Sequence, residues 1–153
     1  GNGEVVAMLR AVRRFLEAHG EGRFTWWHRG ADDRNAKTLH RAGFRRMLGS
    51  DGTPIKSNSD HHREYGDYMP SELGADVSVE YFILCEVFRS EICRGFDYLA
   101  VCRVLWDHGC ITPEHKAAPD SDKVKRFDTN HRLPGLGLSR CYRITPAIFT
   151  LDL

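Results

Sequence analysis

The chain has 153 residues, of which 41% are hydrophobic and 28% charged, and its formal net charge is +1. These values are typical of one globular domain rather than of a disordered chain. No apolar run approaches the roughly 20 residues that cross a bilayer, which argues against a membrane protein. The five cysteines are odd in number and sit mostly at apolar positions, so we expect reduced thiols in the cytoplasm rather than a disulfide framework.

Charge is unevenly distributed along the chain. Residues 1–48 carry ten Lys/Arg against five Asp/Glu, whereas residues 49–80 carry two against seven. Residues 121–153 are again basic, with six against three. An anionic partner is therefore expected to meet the N-terminal third and the C-terminal hairpin, if folding brings them together. The chain begins Gly-Asn-Gly, and we expect it to be the C-terminal part of a longer protein that forms a single domain over residues 1–153.

The first predicted element is an amphipathic helix over residues 4–19, which ends before Gly20. Its apolar stripe consists of Val5, Met8, Leu9, Val12, Phe15 and Leu16. Residues 23–29 follow as a short extended segment with two adjacent tryptophans, Trp26 and Trp27. We expect one of them to be buried and the other half-exposed.

Two strands are predicted next, over residues 39–48 and 77–84. In the second strand, Val77, Val79, Tyr81 and Ile83 alternate with Ser78, Glu80 and Phe82, which indicates two distinct faces. Residues 49–76, which separate the strands, are acidic and rich in Ser, Asp, Gly, Asn and His. We interpret them as a long inserted loop with too few apolar residues to order itself.

The rest of the chain is organised around residues 81–109, a strand end followed by two helices. Helices are predicted over residues 84–94 and 98–108, because Gly95 suits a helix C-terminus and Asp97 suits the next N-cap. In the second helix, Leu99, Val101, Cys102, Leu105 and Trp106 are expected to face the core, and Ala100, Arg103, Val104 and Asp107 to face away.

A basic β-hairpin is predicted after the helix pair. Residues 123–132 form one strand, residues 134–137 (PGLG) the turn, and residues 138–144 the returning strand. A helix-turn-helix followed by a hairpin wing predicts an α+β, winged-helix-like domain with an extra N-terminal helix.

Five segments occur here in an order that resembles a known family. They are residues 12–24 (VRRFLEAHGEGRF), 41–46 (RAGFRR), 80–97 (EYFILCEVFRSEICRGFD), 107–109 (DHG) and 132–144 (RLPGLGLSRCYRI). The order is similar to the C-terminal portion of large bacterial mobile-element proteins whose ATPase core resembles phage and plasmid primase-helicases. Those proteins are largely of unknown function, and their pattern has proline where this chain has Cys85. The resemblance implies an accessory domain that engages origin or forked DNA, with the ATPase core upstream of residue 1.

The candidate DNA contacts are cations and one aromatic residue on the helix pair, the hairpin and the first basic strand, where they would bind phosphates more than read bases. They are Arg41, Arg45, Arg46, Arg94, Tyr98, Arg103, Lys123, Lys125, Arg126, His131, Arg132 and Arg140. Duplex or forked DNA is the expected partner. The main alternative is a protein–protein or oligomerisation module of the same ATPase.

The motifs that could indicate metal binding or catalysis are weak. His61-His62, and His108 with Cys110 near Cys102, lack paired zinc-ligand spacing. Cys85, Cys93 and Cys102 sit where small apolar packing is the default, and PGLG is better explained as a hairpin turn than as a phosphate loop. We therefore predict no enzyme activity, no metal and no cofactor, and keep a small hydrolase or metal-site domain as a third alternative.

Overall fold

The structure is a computed structural model that describes residues 1–29, 40–55, 77–114 and 126–153. It confirms a mixed α+β architecture, in which helices pack on a five-stranded sheet of order β1-β2-β3-β5-β4. The strands are β1 (Phe24–Trp26), β2 (Gly43–Leu48), β3 (Ser78–Leu84), β4 (Thr129–Leu133) and β5 (Gly137–Ile144). Strands β1 and β2 are parallel, and the other neighbours are antiparallel.

Helix α1 (Asn2–His19) begins slightly earlier than predicted and ends where predicted. Its buried residues Met8, Leu9, Val12 and Leu16 belong to the predicted stripe. They pack in the main core with Val79, Tyr81 and Ile83 of β3. We call this side of the sheet the helix face; it also carries Arg45, Met47, Tyr142 and Ile144, which are cross-strand or alternate neighbours of those residues.

A smaller cluster occupies the opposite side, which we call the second face. It contains Phe44, Phe82, Leu133 and Cys141, with Trp27 and Leu84 packed against them. Strand β3 is therefore buried on both sides, although its alternation predicted only two distinct faces. Trp26 is 4% exposed and Trp27 is half-buried, which confirms the prediction for the tryptophan pair.

The first basic strand is shorter than predicted. Residue 39 lies outside the described residues, and β2 begins only at Gly43. His40 has a φ of 50°, a left-handed conformation that interrupts an extended chain. Of the predicted loop over residues 49–76, residues 49–55 form a turn with a bridge from Leu48 to Pro54; residues 56–76 lie outside the described residues.

The first helix of the predicted pair is divided into two segments. Helix α2 (Cys85–Val87) continues as a π-helical turn, Phe88–Ile92. The turn is wide because the N–H of Cys93 reaches back five residues to the carbonyl of Phe88, at 2.9 Å. Single π turns often occur at functional sites.

Helix α3 (Tyr98–Asp107) follows a tight connection in which Gly95 has a φ of 87°. The side chain of Asp97 accepts a hydrogen bond from the N–H of Leu99, so Asp97 is the predicted N-cap. The predicted orientation was partly wrong. Leu99 is 54% exposed because it lies in the first turn, beyond the core, whereas Ala100 and Val104 pack against the core instead of facing away.

The predicted hairpin is present, but its first strand begins at Thr129, and Lys123 and Lys125 lie outside the described residues. Its turn uses Gly135 and Gly137, both with positive φ. Because β5 also pairs with β3, the hairpin continues the main sheet rather than standing as a separate flap. Among the described residues, no helix has both the length and the apolar character that crossing a membrane requires.

Candidate nucleic-acid interface

The predicted DNA-contacting residues do not form one surface. Arg41, Arg46 and His131 belong to the second face, whereas Tyr98, Arg126, Arg132 and Arg140 lie on the helix side around the hairpin. The other predicted residues in the described part of the chain, Arg45, Arg94 and Arg103, have separate environments.

Arg45 is a core residue, so its prediction as a DNA contact was wrong. It is 3% exposed, and its guanidinium stacks over the ring of Trp26 at 3.9 Å. It lies opposite Tyr81 in the sheet register. Burial raises the pKa of Tyr81 to about 12, although the charge of Arg45 opposes the shift. The side chain of Arg45 therefore packs in the core on the helix face.

Arg46 faces the other way and is held by a buried carboxylate. It donates to Oε1 of Glu80 at 2.9 and 2.6 Å, and Arg143 donates to the same carboxylate at 3.0 and 3.3 Å. The Glu80 side chain is only 4% exposed. Arg143 was not among the contacts predicted from the sequence. The two arginines neutralise Glu80 on the second face, which gives Arg46 a structural role.

His131 and Arg41 are also engaged in packing on the second face. Burial lowers the pKa of His131, and the nearby charges of Arg143 and Arg46 lower it further. His131 is therefore neutral at pH 7 and supplies no charge to a phosphate. Arg41 donates to Thr25 at 3.1 Å and lies 4.9 Å from the ring centroid of Phe44.

Arg94 belongs to another patch. Its side chain is exposed and its charge helps to lower the pKa of Glu91, whose principal partner is Arg23. Arg23 and Glu91 form a two-pronged ion pair at 2.7 and 2.9 Å. Arg94 therefore lies near the Arg23–Glu91 ion pair, close to the end of α1, and does not belong to the hairpin.

On the helix side, Arg126 and Arg140 converge on Asp128, which is 5% exposed. Arg126 donates to both carboxylate oxygens at 2.9 and 3.2 Å. Arg140 donates to Oδ2 at 2.7 Å and to the backbone carbonyl at 2.9 Å. Burial opposes ionisation of Asp128, but the hydrogen bonds from the two arginines outweigh it and lower its pKa.

Arg89, which sequence analysis did not select, lies on the π turn beside this group. Its Nε donates to the hydroxyl of Tyr142 at 2.9 Å, and its guanidinium lies 4.6 Å from the ring centroid of Tyr98. The preceding residue, Phe88, stacks on the Tyr142 ring with centroids 4.1 Å apart. The π turn thus buries Phe88 while directing Arg89 along the edge of α3.

These residues enclose a cavity of about 270 Å³ at the start of α3. Its walls include Arg89, Tyr98, Leu99, Arg126, Asp128 and Tyr142. Arg103 lies behind one wall, 5.4 Å from the ring of Phe127. Arg132 is exposed on β4, and its partner Leu138 shares the face of Arg140 and Tyr142. Three of the predicted hairpin cations, Arg126, Arg132 and Arg140, thus lie on the same side of the sheet as Arg89. We call Arg89, Tyr98, Arg126, Arg132 and Arg140 the hairpin site.

Large apolar side chains are exposed next to this site. Leu99 is 54% exposed, and Leu136 and Leu138 at the hairpin are 46% and 64% exposed. Leu99 lines the cavity, and Leu138 lies beside Arg132. The surface around the hairpin site is therefore both basic and apolar.

The thiols are poorly suited to nucleophilic chemistry, which requires the thiolate. All five cysteines are free, and four of them are buried. Burial raises the pKa of Cys93 and Cys141 to about 12 and that of Cys110 to about 11. Within the described residues, no group of three or more His, Cys, Asp or Glu side chains is arranged to hold a metal ion.

No family model, curated protein or solved structure matches the chain. The resemblance to mobile-element ATPases therefore stays a prediction that rests on the sequence segments alone.

Proposed function

We propose that this chain is a DNA-binding domain of winged-helix type, an accessory part of a mobile-element replication ATPase, which contacts the DNA backbone through the hairpin site. The observation that carries the proposal is that Arg126 and Arg140, joined at Asp128, lie beside Arg89 and the start of α3, with Arg132 on the same face of the hairpin. They come from two distant parts of the sequence. Cations on a helix–hairpin pair are the usual means of neutralising DNA phosphates.

The charge balance at the site supports an anionic partner. Arg126 and Arg140 bind one carboxylate, Asp128, which lines the same cavity as Arg89. Glu114 lies 3.4 Å from Arg140 at the margin, and Arg132 adds a charge that has no ion-pair partner in the described part of the chain. Side chains suited to reading base edges are scarce on α3, so the proposal is for backbone contact without strong sequence preference.

A matched pair of charge reversals tests the proposal. Fluorescence anisotropy with duplex, forked and single-stranded DNA would be measured at two salt concentrations. Arg132→Glu is expected to weaken binding by about tenfold and to reduce the salt slope by about one. Arg14→Glu makes the same charge change on the exposed side of α1 and is expected to have little effect. Equal losses in both variants would show only a response to net charge.

A second candidate function, a protein-interaction or oligomerisation module, is favoured by the exposed leucines Leu99, Leu136 and Leu138. Exposed apolar groups beside polar ones often mark protein contacts. Sedimentation velocity over a range of protein concentrations would detect self-association, which Leu138→Ser should weaken. Concentration-dependent association together with no DNA binding at low salt would favour this candidate over the first.

A further inference from the structure

We infer that the cavity lined by Arg89, Tyr98 and Arg126 binds a phosphomonoester, the group found at a phosphorylated strand end and in a free nucleoside monophosphate. For a strand end, the inference rests on the proposed DNA-binding function and adds which part of the DNA the site holds. A phosphomonoester carries about 1.5 to 2 negative charges at pH 7 and offers three acceptor oxygens.

Arg89 has the donors that such a ligand requires. Its Nε is occupied by the hydroxyl of Tyr142. Within the described residues, its two terminal amino groups have no hydrogen-bond acceptor, and the residue is exposed at the cavity. One guanidinium group can donate two hydrogen bonds to two phosphate oxygens, and such paired contacts are stronger than those of a single donor.

The local charge also favours an anion inside the cavity. Asp128 is the one carboxylate among the described lining residues, and both Arg126 and Arg140 already neutralise it. Arg126 contributes a second positive charge to the lining, with a side chain that is 56% exposed. An entering dianion would therefore meet a net positive charge, contributed by Arg89 and Arg126.

The size and the setting of the cavity favour an end group over a continuous backbone. Its volume of about 270 Å³ is near the lower end of the range of about 300–1,000 Å³ for small-molecule sites, and a phosphate group needs only part of it. The recess fits a terminal group whose remaining nucleotides extend outward over Leu99 and the hairpin. Phosphodiesters within a duplex would instead contact exposed cations of the hairpin such as Arg132.

Arg89 is held in place by two aromatic residues. The Tyr98 ring supports one side of its guanidinium, and Tyr142, itself stacked on Phe88, fixes the Nε. Such support reduces the entropy lost when a long side chain binds a ligand. The π turn that places Phe88 inward and Arg89 at the cavity is thus part of the same arrangement.

The test compares oligonucleotides of one sequence that carry a 5′-phosphate, a 3′-phosphate or only hydroxyl ends, with a nucleoside monophosphate and inorganic phosphate as separate ligands. Binding would be measured by anisotropy for the oligonucleotides and by calorimetry for the small ligands. The wild type is expected to prefer a phosphorylated end by about tenfold over the hydroxyl form. Arg89→Gln should abolish the preference, Arg89→Lys should retain part of it, and Arg14→Gln should leave it intact. Circular dichroism would establish that each variant is folded.

The outcomes separate this inference from the proposed function. Equal binding of phosphorylated and hydroxyl ends by the wild type, or a preference that survives in folded Arg89→Gln, overturns the phosphomonoester site and leaves backbone binding standing. Binding of the nucleoside monophosphate that depends on Arg89, without binding of any oligonucleotide, supports the site and overturns the DNA proposal. Failure of every ligand to bind at low salt overturns both.

Discussion

Arg140 holds Asp128 by two different groups, its side-chain carboxylate at 2.7 Å and its main-chain carbonyl at 2.9 Å. The contact joins β5 to the segment that leads into β4, twelve residues away in sequence. It also places a buried carboxylate at the wall of the basic cavity. Asp128 therefore stabilises the hairpin while reducing the positive charge available to an anionic ligand.

This dual role predicts opposite effects for Asp128→Asn. Loss of the carboxylate leaves Arg126 and Arg140 without their charged acceptor, so we expect a loss of about 1–3 kcal/mol in the free energy of unfolding. In the variant protein that remains folded, the added net positive charge should strengthen DNA binding. Urea denaturation and anisotropy measure the two effects. A variant that loses both stability and affinity would show that Asp128 mainly shapes the site.

The pKa shift of His131 predicts a pH dependence of stability. In the folded state, the pKa of His131 is lowered from its usual value of 6.5. As the pH falls below about 6.5, the unfolded state therefore binds more protons than the folded state. Stability that is fully present above that pH is then lost on acidification. His131→Gln should reduce the fall in stability between pH 7 and pH 5, measured by urea denaturation. An unchanged fall in stability in folded His131→Gln would contradict this assignment.

Glu80 predicts a stability effect on the second face. The side chain of Glu80 is only 4% exposed, and Glu80→Gln removes the negative charge that Arg46 and Arg143 share. Because the arginines themselves are partly exposed, we expect a loss of about 3 kcal/mol, at the lower end for breaking a buried ion pair. Glu86→Gln changes an exposed carboxylate in α2 and should alter the free energy of unfolding little. Equal stabilities of the two variants would contradict the structural role assigned to Glu80.

Gly43 tests the register of β2 against β3. A Cβ at this position would lie 1.8 Å from the carbonyl oxygen of Phe82, so the strands could not keep their spacing. Gly43→Ala is expected to destabilise the protein by about 3 kcal/mol or more. At Gly22 a Cβ would meet nothing within 4 Å, and Gly22→Ala should be tolerated. Similar melting temperatures for the two variants would show that the strand register differs from the one described.

Much of the architecture was predictable because its periodicity is local. The stripe of α1 repeats at helical spacing, and β3 alternates between an apolar side with Val79 and Tyr81 and a mixed side with Glu80 and Phe82. The hairpin was marked by glycines that adopt positive φ at its turn, Gly135 and Gly137. These signals require no knowledge of distant contacts.

The site was less predictable, since it depends on contacts between distant segments. Arg45 and Arg46 are adjacent in a strand, so one of them had to face the helices; which one depends on the register that places Arg45 opposite Tyr81. Arg89 lies 53 residues from its partner Tyr142, and no motif connects them. Of the hairpin site, the sequence indicated Tyr98, Arg126, Arg132 and Arg140 but gave no signal for Arg89.

Tyr142→Phe separates the support of Arg89 from its charge. The change removes the hydroxyl that accepts the Nε–H at 2.9 Å and keeps the ring stacked on Phe88. Loss of one partly buried hydrogen bond should cost about 1 kcal/mol in the free energy of unfolding. Because Arg89 keeps its charge but loses its fixed orientation, the preference for phosphorylated ends should fall by several-fold while binding of hydroxyl-ended DNA stays unchanged. A preference that is fully retained in Tyr142→Phe, at unchanged salt dependence, would show that Arg89 acts as a free surface charge.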